Sequence, residues 1–312
     1  MIMNLIFMGT PEFAVPGLKA MVESGFAPSL VVTQPDRPKG RGKVLSPTPV
    51  KELALQKGLN VQQPQDPNSL QFQNLIKKSA PDLIVVIAYG HILKPEFLKI
   101  PRLGCLNIHA SLLPELRGPA PIQWAILRGL KETGLTAMWM DEGVDTGNII
   151  MQEKVVIEPF ETYGSLHEKL SKLSGPFLIR VLNNLKTNST VTGTPQDQNR
   201  VTYAPKISKD MCKINWSKSA EDICRIIRAL DPFPGATAKI REQELKLYGA
   251  SFKDTEVNKT PGHIIVARGN ELLVATGKGI LGIKEVKLAG KKRLPVSEFI
   301  KGFRLKEGEI FE

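Results

Sequence analysis

The sequence predicts a doubly wound, mainly parallel (Rossmann-like) α/β sheet domain followed by a small β-barrel (OB-like) domain. Three observations carry that expectation. Short apolar runs alternate with helix-length segments through the first 185 residues, a polar turn-rich stretch follows, and after about residue 208 short strands come at close spacing. A chain of 312 residues also exceeds what one core normally serves. The expected division is 1–187 for the sheet domain, 188–207 for a linker and 208–312 for the barrel.

The elements follow in order. Residues 3–8 (MNLIFM), 29–33 (SLVVT), 83–88 (LIVVIA), 103–108 (LGCLNI) and 135–140 (LTAMWM) read as strands, each brief, apolar and bounded by Gly, Pro or Asp. Between them PEFAVPGLKAMVESG, PTPVKELALQKG, SLQFQNLIKKSA and APIQWAILRG have helical length. Prolines stand near the starts of several of these helices, where a missing N–H costs nothing. Residues 165–185 form a last helical stretch, with Gly175-Pro176 as an expected kink. KTNSTVTGTPQDQNRVTYAPK then reads as the linker. Beyond it come one helix (SAEDICRIIRAL), the turn DPFPG and strands such as TAKI, LKLYGA, HIIVA, ELLVAT and LGIKEVKL.

The formal net charge is +11. It is unevenly divided: residues 206–312 carry 21 basic against 14 acidic side chains, and residues 1–205 carry 21 against 17. A surface of this kind attracts polyanions, of which nucleic acid is the commonest. Cys105, Cys212 and Cys224 are odd in number and show no C-x-x-C spacing, so neither a disulfide framework nor a structural zinc site is encoded. No stretch reaches the roughly 18 uninterrupted apolar residues of a membrane span. The opening MIMNLIFMG lacks a basic leader and a small-residue cleavage site. A soluble, cytoplasmic protein with no membrane partner is the expectation.

QPDRPKGRGK (34–43) places Arg37, Lys39, Arg41 and Lys43 on alternate positions among glycines and prolines. Such a run forbids a regular helix, and taken alone it reads as a solvated surface. LGCLNIHAS is more specific, because Asn107 and His109 interrupt an apolar strand at its C-terminal end. Side chains alternate along a strand, so the two share a face with Cα atoms roughly 6.6 Å apart. In open α/β sheets ligands bind just beyond the carboxyl ends of the strands. An amide donor beside an imidazole can hold a carbonyl oxygen and shuttle a proton, as acyl transfer requires; the alternative is a pair of hydrogen-bonded core residues.

SLLPELRGPAP (111–121) follows as an extended loop over the same edge, able to receive a flat ligand or to act merely as a turn. MDEGVDTGNI (140–149) offers Asp141, Glu142 and Asp145, and a carboxylate there could orient the imidazole. One Asp-Thr-Gly in a parallel α/β pattern does not make an aspartic protease. GTPEF lacks the glycine spacing of a dinucleotide fingerprint, no Walker motif or metal-ligand cluster is present, and His91, His167 and His263 are scattered.

NIHASLLPELRGPAPIQWAI with MDEGVDTGNI downstream resembles the 10-formyltetrahydrofolate-dependent formyltransferases. In these an N-x-H pair, an S-L-L-P-x-x-R-G loop and a distal Asp form the active site. FMGTPEFAVPGL, VVTQPDRPKGRGKVLSPTPVK, VVIAYGHIL, RALDPFPGA and ATGKGILGIKEV extend the likeness over essentially the whole chain, to the branch that formylates methionine on initiator tRNA.

The resemblance implies that Asn107 and His109 contact the formyl oxygen and that Asp145 positions His109. It implies that Ser111, Leu112, Leu113 and Pro114 line the folate site, with Ile87, Tyr89 and Gly90 around the pterin. Arg37, Lys39, Arg41 and Lys43 would enter the tRNA acceptor end, with Arg41 reading the first base pair, and Lys291, Lys292 and Arg293 would contact phosphates. The implied partners are initiator methionyl-tRNA and the co-substrate 10-formyltetrahydrofolate, with no metal and a monomeric chain. Glu115, where relatives often carry a basic residue, and Ala110, for a frequent glycine, depart from the pattern. The nearest rival is a formyltransferase acting on an amino sugar attached to a nucleotide, which would not need RPKGRGK. A catalytically silent RNA-binding protein would not need an intact Asn107, His109 and Asp145.

Overall fold

A computed structural model describes residues 3–39, 44–188 and 191–312. The chain divides into two compact units. The first comprises Met1–Pro121, Thr133–Val156 and His167–Ala204, and the second Ile122–Glu132, Ile157–Leu166 and Pro205–Glu312.

The first unit is built on a seven-stranded sheet. Its strands are β1 (Leu5–Gly9), β2 (Leu30–Val32), β5 (Val61–Gln62), β6 (Leu83–Ile87), β7 (Cys105–His109), β8 (Glu132–Trp139) and β9 (Ile149–Val156), in the order β5-β2-β1-β6-β7-β8-β9. The pairings from β5 through β7 are parallel, and β8 lies antiparallel to β7. β1 and β6 are buried along their whole length, which explains their continuous apolar sequences.

Helices α1 (Val15–Glu23), α2 (Pro49–Gln56), α3 (Leu70–Lys78) and α4 (Pro95–Leu98) fall between the strands. α2 begins at Pro49 with Thr48 accepting from Lys51 N, and α3 begins with Ser69 accepting from Phe72 N; both are hydroxyl N-caps. α6 (Tyr163–Thr187) continues through Pro176 as one helix. A Cβ on Gly175 would lie 2.9 Å from the Pro16 carbonyl oxygen, so the Gly-Pro pair serves close packing on α1.

Two features depart from the sequence reading. The glycine- and proline-rich 34–43 region leads into an antiparallel ribbon of β3 (Arg37–Lys39) and β4 (Val44–Ser46), with Arg37 opposite Ser46. Arg41 and Lys43 lie outside the described residues. The segment expected as a linker is stitched into the first unit: Thr194 exchanges backbone hydrogen bonds with Ile149, and Ala204, fully buried, donates to the Arg117 carbonyl at 2.7 Å.

The second unit includes α5 (Pro121–Leu127), α7 (Ala220–Leu230) and α8 (Val296–Phe303). Its sheet joins β10 (Ala236–Ile240), β11 (Gln243–Lys253), β14 (Ile280–Leu288), β13 (Glu271–Ala275) and β12 (Ile264–Arg268) in that order, with β15 (Leu294–Pro295) on β14. Every pairing is antiparallel. Residues 309–312 bridge the outer strands: Glu312 exchanges hydrogen bonds with Lys239 of β10, while Glu309 accepts from Ile264 of β12. α7 is capped by Ser219 and buries Ile223, Ile227 and Leu230 at helical spacing in the core of this unit.

Candidate active site

β7 carries Asn107 and His109 at its carboxyl end. Its register sets Asn107 beside Val86 of β6 and Met138 of β8, and His109 beside Thr136. Asn107 is half-buried and His109 is 7% exposed. The chain then turns into the 111–118 loop, which folds back over the imidazole: His109 Nε2 lies 3.0 Å from the Leu116 carbonyl oxygen.

The loop between β8 and β9 brings Asp145 to the other side of the ring, with Oδ2 3.6 Å from His109 Nδ1. That same oxygen accepts the Gly118 N–H at 2.8 Å. The three residues named from sequence therefore belong to one unit, with His109 and Asp145 in direct register. The imidazole stands between two oxygens, the Leu116 carbonyl 3.0 Å from Nε2 and the Asp145 carboxylate 3.6 Å from Nδ1.

Asp145 has φ +55°, in the left-handed region where Asp is among the tolerated residues. Its main chain is held by Gln196, whose Nε2 donates to the carbonyls of Asp145 at 2.9 Å and Gly147 at 2.8 Å. Arg117 in turn donates to Gln196 Oε1 from Nε at 3.1 Å and from Nη2 at 2.7 Å. Arg117 and Gln196 are 4% and 6% exposed.

The S-L-L-P segment is braced from within. Ser111 Oγ donates to the Glu115 carbonyl, Thr136 Oγ1 donates to the Ser111 carbonyl, and Gln152 Nε2 donates to the Leu113 carbonyl. Ser111, Leu113 and Pro114 are buried and Leu112 is half-buried. Their polar groups are thus engaged inside the protein, and the segment contributes shape to the site.

Beyond β6, Ile87 and Tyr89 are buried whereas Ala88 and Gly90 are exposed. Tyr89 packs its ring in a core with Ile6, Met8, Phe72 and Phe97. Burial, with the Asp66 carboxylate adding to it, pushes its phenol up to about 12. Its carbonyl accepts from Thr10 Oγ1 at 2.9 Å and Gln34 Nε2 at 3.0 Å. Ala88 and Gly90 leave small, exposed main chain at the strand's carboxyl end, which suits a flat heterocycle.

A profile of the formyl transferase family matches residues 3–182, and one of the formyl transferase C-terminal domain matches residues 206–304. The chain belongs to the formyl transferase family. It is 44% identical over 308 residues to a methionyl-tRNA formyltransferase of Alkaliphilus oremlandii, covering 99% of each chain. It is 43% identical over 309 residues to the protein of the same name from Agathobacter rectalis, again covering 99% of each. Among solved structures, the fold is shared with an N-formyltransferase from Helicobacter canadensis in complex with folinic acid and dTDP-3-aminofucose. That match has TM-score 0.69 and 18% identity, over 92% of this chain and 99% of the other. A methionyl-tRNA formyltransferase from Clostridium thermocellum matches with TM-score 0.56 and 20% identity, over 81% and 95%.

In this formyl transferase the departure at Glu115 has a local partner, because Arg200 Nη2 donates to Glu115 Oε1 at 2.8 Å. A cation is thus held at the site's edge by the segment that carries Gln196. Among the cations named for tRNA, Arg37 donates to Gln34 Oε1 at 2.9 Å, and Lys291 and Lys292 are exposed. Arg293 is committed within its own unit. It pairs with Asp231 at 2.7 Å and with Glu285, and its guanidinium lies 4.1 Å from the centroid of the Tyr248 ring. Its guanidinium is engaged by two carboxylates and an aromatic ring, with its side chain 32% exposed.

Gln196 and the Leu116 carbonyl had no functional signal in the sequence, whereas Arg117 is the arginine of the S-L-L-P-x-x-R-G loop. Among the described residues no group of three or more His, Cys, Asp or Glu could hold a metal ion, and no helix is long and apolar enough to cross a membrane.

Proposed function

We propose that the chain transfers the formyl group of 10-formyltetrahydrofolate to the α-amine of methionine carried by initiator tRNA. One observation carries the chemistry: His109 and Asp145, 3.6 Å apart at the carboxyl end of β7, with Asn107 on the same strand face. The acceptor follows from relatives named methionyl-tRNA formyltransferase that match essentially the full length of the chain.

The folate supplies the activated formyl carbon when bound, and exposed Ala88 and Gly90 with half-buried Leu112 are the surfaces that would meet it. Asn107 donates to the formyl oxygen as it gains negative charge, and His109 does so by exchanging the Leu116 carbonyl at Nε2 for that oxygen, a term worth roughly a hundred- to a thousandfold. Asp145 keeps the imidazole oriented while the attacking amine becomes cationic. The proton that the amine loses as its bond to the formyl carbon forms passes by way of the His109–Asp145 pair to the folate nitrogen, which leaves as its own bond to that carbon breaks; this adds about a hundred- to ten-thousandfold. Arg37 and Lys39 of β3, together with Arg41, Lys43, Lys291 and Lys292, neutralise acceptor-stem phosphates, and Arg41 reads the end of the stem. Three buried free cysteines suit a reducing cytoplasm.

The deciding experiment is transfer of radiolabelled formyl from 10-formyltetrahydrofolate to methionyl initiator tRNA, with an amino-sugar nucleotide as the parallel acceptor. Label on the tRNA is expected, and a His109→Ala protein should transfer none. Label on the sugar alone would overturn the acceptor while keeping the chemistry.

A further inference from the structure

Gln196 comes from a stretch whose composition reads as a tether, yet it meets the proposed catalytic carboxylate's own backbone. Its side chain uses every polar atom. Nε2 donates to the carbonyls of Asp145 and Gly147, and Oε1 takes two N–H groups from Arg117. With two donors facing one end of the amide and two acceptors facing the other, a single orientation of the carboxamide satisfies all four contacts.

Asp145 has a second fixed point, the Gly118 N–H on Oδ2. Gly118 adjoins Arg117, whose N–H donates to the Thr202 carbonyl at 2.9 Å and whose carbonyl accepts from Ala204. The carboxylate and the main chain of Asp145 are thus tied to one loop, and that loop is tied to the segment bearing Gln196. A left-handed non-glycine residue persists only where its surroundings over-determine it. A buried guanidinium ending on a neutral amide is costly to bury unless the contact orders something.

We propose that Gln196, oriented by Arg117, is a positioning residue that sets Asp145 against His109. The proposal rests on the formyl-transfer reading above. It requires the two N–H donors of Gln196 specifically. Gln196→Glu is the discriminating variant, because it keeps the volume and gives Arg117 a carboxylate, yet turns both donors into acceptors facing two carbonyls.

Formyl transfer is measured under saturating and limiting tRNA and folate, alongside thermal unfolding. The expected result is a kcat reduced about tenfold to a hundredfold, both KM values within twofold of wild type, and a Tm no lower than that of Gln196→Ala. A purely structural role would instead lower Tm and leave kcat of the folded fraction intact, and that result would overturn the proposal. Should Gln196→Glu fold poorly, Arg117→Lys keeps Gln196 but removes the paired contact on Oε1, and it must show the same split between kcat and KM; unchanged kcat there also overturns the proposal. Wild-type protein inactive on methionyl initiator tRNA would overturn the functional reading and this proposal together. An active wild type with an equally active Gln196→Glu overturns this proposal alone.

Discussion

Gly118 gives its backbone N–H to Oδ2 of Asp145, the oxygen that also faces His109 Nδ1. Gly118 has φ +116°, and a Cβ there would lie 2.9 Å from the Ala204 carbonyl oxygen. Gly118→Ala is therefore strained both by conformation and by contact. It should cost about 1–3 kcal/mol of stability and lower kcat at least about tenfold by moving the Asp145 anchor. Denaturant unfolding and single-turnover transfer measure the two effects.

Asp145→Asn preserves an acceptor for Gly118 but removes the negative charge beside the imidazole. Its kcat should fall by about a hundred- to ten-thousandfold, with tRNA affinity within about twofold of wild type. Filter binding alongside the transfer assay separates these quantities, and weakened binding with intact kcat would contradict the assigned role.

Lys291 and Lys292 should each contribute about one unit to the salt dependence of tRNA binding. Arg293→Ala should leave that slope unchanged and destabilise the second unit by about 1–3 kcal/mol, since it strands the buried Asp231 without its cation. Titrating affinity against salt for the three alanine variants distinguishes surface cations from an internal one.

Arg41→Ala should reduce discrimination between initiator and elongator methionyl-tRNA. Transfer rates on the two tRNAs, compared as kcat/KM ratios, report it. An unchanged ratio would remove Arg41 from recognition without touching the chemistry.

Asp36 sits at the root of the basic ribbon, where Lys51 Nζ donates to Oδ2 at 2.6 Å and Gln63 Nε2 to Oδ1 at 2.7 Å. The Lys51 hydrogen bond, then that of Gln63, holds this carboxyl below its ordinary value of 3.8. A depressed carboxyl contributes stability that is complete above its unfolded value and disappears as pH falls through the lower folded one. Asp36→Asn should accordingly flatten the pH dependence of stability below about pH 4. Carboxyl carbon NMR of the wild type should show Asp36 titrating below 3.8.

The sheet was legible because buried parallel strands are continuous apolar runs, and β1 and β6 are of that kind. β9 was not read as a strand: IIMQEKVV is only half-buried, and its polar residues hide it behind the Asp-Thr-Gly loop. The β3–β4 ribbon was missed because its order comes from main-chain pairing, which a Gly- and Pro-rich composition does not advertise.

Asn107 and His109 stood out as polar interruptions of an apolar strand. Gln196 carries no such contrast, since it lies among other polar residues and its contact with Arg117 spans 79 positions. The packing of Tyr89 in a hydrophobic cluster and the pairing of Arg293 with two carboxylates depend on distant neighbours that no local pattern shows.

The stitched 194–204 segment also bears on how this chain can be divided and recombined. A boundary drawn at 187, where the long helix ends, would leave the His109 pocket without the residues that brace its rim. A boundary after Ala204 keeps them. Chimeras exchanging the second unit among relatives should therefore retain turnover when joined beyond Ala204 and lose it when joined at 187. The unit of inheritance for catalysis is longer by some seventeen residues than the last helix suggests.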